Sequence, residues 1–391
     1  MKKNLLFVCF FCFSFGNVIA QNYQIGHTTI TFVDASRGNR SIATEIYYPA
    51  DVAGDNVSLT TLNTVKFSSL VFGHGFVMTW DAYQNFWNAL VPNGYIMAFP
   101  KTEGSFSPSH LEYAKDLAFV IDQMNYLGTQ SSSIFFNRIS PMNAVMGHSM
   151  GGGASFLAVP LNSNIATLVN FAPAETTPSA ITASTSITIP ALIFAGANDC
   201  VTPSSSNQVP MYNGLSSACK TLISIVGGSH CQMSNANAFC SFGESTCSPS
   251  PTITRSVQHT ILFNYLLPWL DFQLKLNCAQ GAYFDSQIVS DAAITYQKNC
   301  IQCNVLNYNE INPQSNEIVL FPNPTKDSIT IKGLPLNEYA IKITDGNAKV
   351  ILQQKFVESC TIDISKFSAG IYYYSVIGSN KEIKNGKFIK K

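Results

Sequence analysis

Charge is what this sequence has least of. Asp, Glu, Lys and Arg together make up 12% of 391 residues, against roughly 25% in an ordinary soluble domain. The two signs balance at 23 each, giving a net charge of zero. Such a chain lacks the basic face that phosphate contacts require, so nucleic acid is not the expected partner. Long apolar runs are also missing. Beyond the first twenty residues none approaches the ~18 uninterrupted apolar residues of a membrane span, and no stable span is expected. Metal-ligand clusters are lacking too. Cys300 and Cys303 form a lone C-x-x-C, whereas a zinc site needs about four ligands, so a local disulfide is expected there and no metal. Histidine is scarce, at six, which narrows the search for a general base.

Apolar and neutral polar residues are abundant. The apolar fraction is 46%, enough for a sizeable core, and the length suggests two to three units. Residues 1–20 read as a signal peptide: Lys2 and Lys3 lead a short apolar run from Leu5 to Phe15, and Val18 and Ala20 are small residues before a cut at Gln21. Removal of Cys9 and Cys12 with it leaves nine cysteines. In an oxidising compartment these are expected mostly as disulfides. Pairings of Cys200 with Cys219 or Cys231, and of Cys240 with Cys247, suit the chain order, although connectivity cannot be derived from sequence.

Residues 21–280 alternate strand and helix signals. Strands are expected at Thr28–Val33, Thr44–Tyr48, Ser69–Phe72, Tyr95–Phe99, Asn143–Met146, Thr167–Phe171, Ala191–Ala195 and Thr221–Val226. Helices are expected at Leu111–Leu127 and at Val257–Leu276, the latter interrupted by Pro268. Short buried strands alternating with helices imply a mostly parallel central sheet covered on both faces, an α/β fold. Residues 281–313 lack periodicity and read as a linker or an embellishment of this unit. From about residue 314 short alternating strands separated by Pro-Asn-Pro and Asp-Gly turns indicate a small all-β sandwich.

The strongest chemical signal is Gly147-His148-Ser149-Met150-Gly151, a G-x-S-x-G between a strand and a helix. Small residues two before and two after let strand and helix approach closely and expose the Ser149 hydroxyl. A serine hydroxyl needs a base. His230 follows the last strand through Gly227-Gly228-Ser229, and Asp199 follows the preceding strand, so the order is Ser, acid, His. Glu175 and Glu103 are the rival acids. His74, in Gly73-His74-Gly75, is expected to hold its loop. Oxyanion donors are expected from the Met150 amide and from Phe76, with Val77 as the alternative. Trp80 and His148 are expected at the substrate.

Val71-Phe72-Gly73-His74-Gly75-Phe76, Met146 to Gly153, Ile193 to Asp199 and Gly227-Gly228-Ser229-His230 resemble the α/β-hydrolases that include cutinase-like polyester hydrolases, chlorophyllase-like and dienelactone-hydrolase-like proteins. The resemblance implies cleavage of small or polymeric carboxylic esters through Ser149, Asp199 and His230 with no cofactor. Ala172-Pro173-Ala174-Glu175-Thr176-Thr177 has no tryptophan, where polyester hydrolases usually carry one. Phe321-Pro322-Asn323-Pro324-Thr325, Ile341 to Asp345, Ser368 to Tyr372 and the closing Lys387 to Lys391 resemble the type A C-terminal sorting domain of type IX secretion. That resemblance implies secretion machinery as a partner and a secreted or cell-surface location. Two other classes stay open: a peptidase or other acyl hydrolase on the same fold, and a non-catalytic surface binding protein.

Overall fold

The computed structural model describes residues 23–300, 319–332, 338–346, 349–378 and 383–391. The expected signal peptide, Cys303 and residues 301–313 of the expected linker lie outside them. The chain divides into two compact units, one ending at Asn304 and the other running from Val305 to Lys391.

In the first unit, ten strands form one sheet among the described residues. They are β1 (Gln24–Asp34), β2 (Arg40–Ala50), β3 (Gly54–Asp55), β4 (Ser68–Gly73), β5 (Tyr95–Pro100), β6 (Asn143–His148), β7 (Ile165–Phe171), β8 (Ala191–Gly196), β9 (Cys219–Ile225) and β10 (Ile294–Cys300). Their spatial order is β10-β9-β8-β7-β6-β4-β5-β2-β1-β3. From β9 through β5 every neighbouring pair is parallel. β1, β2 and β10 join antiparallel. The helices are α1 (Gln84–Leu90), α2 (His110–Leu127), α3 (Met150–Ala158), α4 (Ala180–Ser184), α5 (Gln208–Gly214), α6 (Ala238–Ser245), α7 (Arg255–Lys275) and α8 (Cys278–Ile288).

The central strands are apolar at nearly every position because the sheet has two buried faces. In β8, Ala191, Ile193 and Ala195 pack on the side of α2 and α3. Leu192 and Phe194 point to the other side, against Leu262, Leu266 and Trp269 of α7. The Ser109 hydroxyl caps α2 by accepting the Glu112 amide at 3.3 Å, and Thr254 does the same for α7 at the Val257 amide.

Three local expectations are corrected. α7 runs unbroken through Pro268. Proline removes a donor and crowds the preceding turn at a cost of about 3 kcal/mol, but the buried row of Leu262, Tyr265, Leu266, Trp269 and Leu270 holds the helix together across it. β1 and β2 each extend to eleven residues, longer than expected, and pair with each other along their whole length. The third correction is β10, whose mostly exposed residues carry little apolar pattern, yet which pairs along the whole of β9.

The second unit is two antiparallel sheets. β11 (Val319–Phe321), β12 (Ser328–Lys332) and β15 (Ser359–Asp363) form one. β13 (Glu338–Thr344), β14 (Val350–Val357), β16 (Gly370–Gly378) and β17 (Ile383–Lys390) form the other. Alternate residues, such as Ile329 and Ile331 or Ile341 and Ile343, enclose its core.

A buried charge cluster ties β1, β2 and α2 together. The Asp116 carboxylate has no solvent exposure. It accepts from Arg40 Nε at 2.8 Å, Arg40 Nη2 at 2.6 Å and Thr102 Oγ1 at 2.5 Å, and pairs with Arg37 Nη2 at 2.7 Å. Removing one partner of a buried pair strands the other charges. Asp116→Ala is therefore expected to cost about 3–5 kcal/mol. All three tryptophans lie in the first unit, so urea unfolding followed by tryptophan emission reads this loss directly.

Candidate active site

The sheet brings the expected residues to one edge. Ser149 follows β6, Asp199 follows β8 and His230 follows β9. These strands, with β7 between, are parallel neighbours, so their carboxyl ends open on the same side, where ligands of open α/β sheets bind. Ser149 takes φ 53°, the left-handed region that a non-glycine residue occupies only when its surroundings impose it. Its amide donates to Phe171 O at 3.1 Å, and its carbonyl accepts from Ala174 N at 2.9 Å. Strand, elbow and the loop after β7 are thereby locked together.

Asp199 and His230 are buried and joined, Nδ1 to Oδ2, at 2.8 Å. The other carboxylate oxygen accepts the amides of Val201 at 2.9 Å and Thr202 at 2.7 Å. With Asp199 as acceptor, the proton sits on Nδ1 and the Nε2 lone pair is free, the tautomer a general base needs. Among the described residues neither Ser149 Oγ nor His230 Nε2 has a hydrogen-bond partner. Ser149 is 8% exposed. The rival acids serve elsewhere: Glu175 accepts the Ile181 amide, and Glu103 pairs with Arg40.

Thr202 escaped the sequence reading. Its hydroxyl lies 2.8 Å from Asp199 Oδ2, 3.0 Å from His230 Nδ1 and 3.3 Å from Ala172 O. It fixes the Asp199 carboxylate and ties the Asp199 loop to the segment that holds Ser149. The only local signal was an Asp followed three residues later by Thr, a spacing common in turns. Gln258, buried on α7, was also missed; it grips the Ser229 amide and carbonyl, each at 2.9 Å, and so positions the residue before His230.

Of the two oxyanion candidates, the Met150 amide opens α3, where no carbonyl of a preceding turn can take it. In the β4 loop the His74 and Gly75 amides both donate to buried tyrosine hydroxyls, Tyr113 and Tyr83, at 2.7 Å. Phe76 supplies the next amide, and no protein acceptor takes it among the described residues. His74 is buried with both ring nitrogens against carbonyls, Gly75 O and Thr102 O, at 2.9 Å.

His148, expected at the substrate, is instead fully buried, because it still belongs to β6. Its Nε2 faces His230 O at 3.2 Å and its Nδ1 faces Tyr83 Oη at 3.0 Å. The carbonyl can only accept, so Nε2 carries the proton and Tyr83 donates to Nδ1. The chain Gly75 N–H, Tyr83, His148, His230 O thus links the loop of one oxyanion candidate to the candidate base. Burial, and then the neighbouring His230, holds the His148 pKa well below the usual imidazole value. Trp80 is half-buried, donates to Tyr47 Oη at 3.1 Å and lies under Lys101 Nζ at 4.8 Å. No contact ties it to Ser149, Asp199 or His230 among the described residues.

The disulfides differ from those expected. Cys200, beside Asp199, bonds Cys247, and Cys231, beside His230, bonds Cys240. Both loops are therefore stapled to α6 and its end rather than to each other. Cys219 pairs with Cys300, joining β9 to β10 in place of the local Cys300–Cys303 bridge. The Glu244 side chain adds a hydrogen bond to the Cys231 amide at 3.0 Å.

A family profile described as PET hydrolase-like matches residues 18–246, and one described as a secretion system C-terminal sorting domain matches residues 319–391. The chain is 33% identical over 96 residues to "Cutinase est1" of Thermobifida alba, a match covering 24% of this chain and 31% of the cutinase.

The folded-state pKa of His148 lies below that of the unfolded chain, about 6.5, so the unfolded state takes up the proton first as pH falls. The stability this residue contributes is complete above about pH 6.5 and lost below it. His148→Gln is expected to flatten the acid limb of melting temperature against pH. A slope remains from His74, whose pKa burial also lowers. Replacing Cys200 and Cys247 together by Ala is expected to cost about 2–4 kcal/mol, read by thermal melting under non-reducing conditions.

Proposed function

The chain belongs to the PET hydrolase-like family, and from that premise we propose that it cleaves carboxylic esters, polyesters among them, through Ser149, His230 and Asp199. The family is one of ester hydrolases, and the C-terminal match marks the chain for type IX secretion to the cell surface or beyond. The observation that carries the mechanistic reading is the buried 2.8 Å Asp199–His230 hydrogen bond beside a serine at a strained elbow.

The steps follow from these positions. Ester binding closes the Ser149–His230 hydrogen bond, as catalytic hydrogen bonds commonly tighten only in the complex. Ser149 Oγ attacks the ester carbon as its proton passes to His230 Nε2. The carbonyl oxygen gains the negative charge and is met by the Phe76 and Met150 amides. Asp199 stabilises the imidazolium through Nδ1–H. The bond to the alkoxy oxygen breaks as Nε2 returns the proton to it, and the alcohol leaves. Water then attacks the acyl-enzyme with His230 as base, and the acid is released with Ser149 restored.

Turnover of p-nitrophenyl butyrate by the purified protein tests this. Ser149→Ala is expected to lower kcat by about 10⁴- to 10⁶-fold, and Asp199→Asn by about 10⁴-fold. Activity surviving Ser149→Ala, or a wild type inert on every ester, would overturn the proposal.

A further inference from the structure

Three exposed phenylalanines from three separate segments form a row. Phe76 follows β4, Phe106 lies in the loop between β5 and α2, and Phe239 is on α6. They are 46%, 74% and 58% exposed. Phe106 meets Phe76 edge-to-face with ring centroids 6.3 Å apart, and Phe239 in the same way at 6.4 Å. Single exposed apolar side chains need no explanation, whereas contiguous ones mark a binding surface.

Each ring stands on an anchored base. Tyr83 Oη accepts the Gly75 amide immediately before Phe76. Glu103, at the foot of the Phe106 loop, bonds Arg40 and also accepts the Ser109 amide at 2.6 Å, closing that loop. Phe239 precedes Cys240, whose disulfide reaches the residue after His230. The row therefore runs from the loop of one oxyanion candidate to the helix stapled to the acid and base loops.

The row also indicates its occupant. The side chains carry no polar atom, and rings meeting edge-to-face leave free faces and edges that suit another ring. The first ring belongs to the residue whose amide would hold the ester oxygen. A group held on Phe76 is then part of the ester being cleaved, and Phe106 and Phe239 lie one and two ring contacts further along. We propose that Phe106, assisted by Phe239, is a specificity-determining residue that grips the second aromatic unit of an extended aryl ester whose scissile end lies at Phe76. This rests on the ester-cleavage reading above.

The experiment compares kcat/KM for ethylene glycol dibenzoate, with two aromatic units, and ethyl benzoate, with one. Phe106→Leu keeps an apolar side chain but removes the ring, and Phe106→Tyr keeps the ring. The dibenzoate to monobenzoate ratio is expected to fall about two- to tenfold in Phe106→Leu, mainly through KM. Phe106→Tyr should restore it, and Phe239→Leu should lower it less. A ratio unchanged by Phe106→Leu, or not restored by Phe106→Tyr, overturns the proposal. Dibenzoate binding to Ser149→Ala protein, with and without Phe106→Leu, separates the two readings. A weakened Kd in a protein whose wild type cleaves no ester supports the aromatic row and defeats the hydrolase reading. Normal hydrolysis with an unmoved ratio and Kd defeats the row alone.

Discussion

The close crossing of β4, β6 and α3 is the constraint on which the rest of the site depends. Here backbone packs on backbone. A Cβ on Gly147 would lie 2.3 Å from Gly151 O, and one on Gly151 would lie 2.2 Å from the Gly73 carbonyl. Contacts that short are not tolerated, so side chains at these positions would push the helix off the sheet. With them absent, α3 starts directly above the end of β6, and the single connecting residue, Ser149, must turn sharply. Its positive φ costs about 1–3 kcal/mol. The hydrogen bonds to Phe171 O and from Ala174 N hold it there.

Around that rigid elbow the polar groups are wired across distant parts of the chain. Tyr83 and His148 connect the Gly75 loop to His230, and Thr202 connects Asp199 to Ala172 in the loop beside Ser149. Each bond contributes only about 0.5–1.5 kcal/mol net, but leaving a buried member unpaired costs about 1–3 kcal/mol. The network therefore acts less by adding stability than by penalising any other arrangement of these loops. That is what a candidate base needs, because its tautomer and ring orientation decide whether Nε2 faces the serine.

This division explains what the sequence revealed. The positions of Ser149, Asp199 and His230 were legible because each lies in a short pattern tied to a strand end, and parallel strands bring those ends together. The Tyr83–His148 and Thr202–His230 contacts were not, since they join residues 65 and 28 apart with no local mark. The burial of His148 was hidden for a related reason: its place beside Ser149 in sequence does not reveal that the strand alternation turns that side chain into the protein. Cysteine pairing depends on where α6 lies, which no spacing rule contains. β10 went unread because an exposed edge strand carries little apolar pattern.

The two sides of the site are held by different means, and the composition suggests why. Ser149 is fixed from within the sheet by backbone contacts. Asp199 and His230 sit on loops beyond the strand ends. Surface ion pairs would be a weak brace there, and a chain with 12% charged residues has few to offer. Covalent bridges to α6 fill that role. They persist only in an oxidising setting, which export through a C-terminal sorting domain provides. The same bridges fix the helix that carries Phe239. The Asp199 and His230 loops and one end of the aromatic row are thus set by one pair of disulfides, so their positions cannot vary independently.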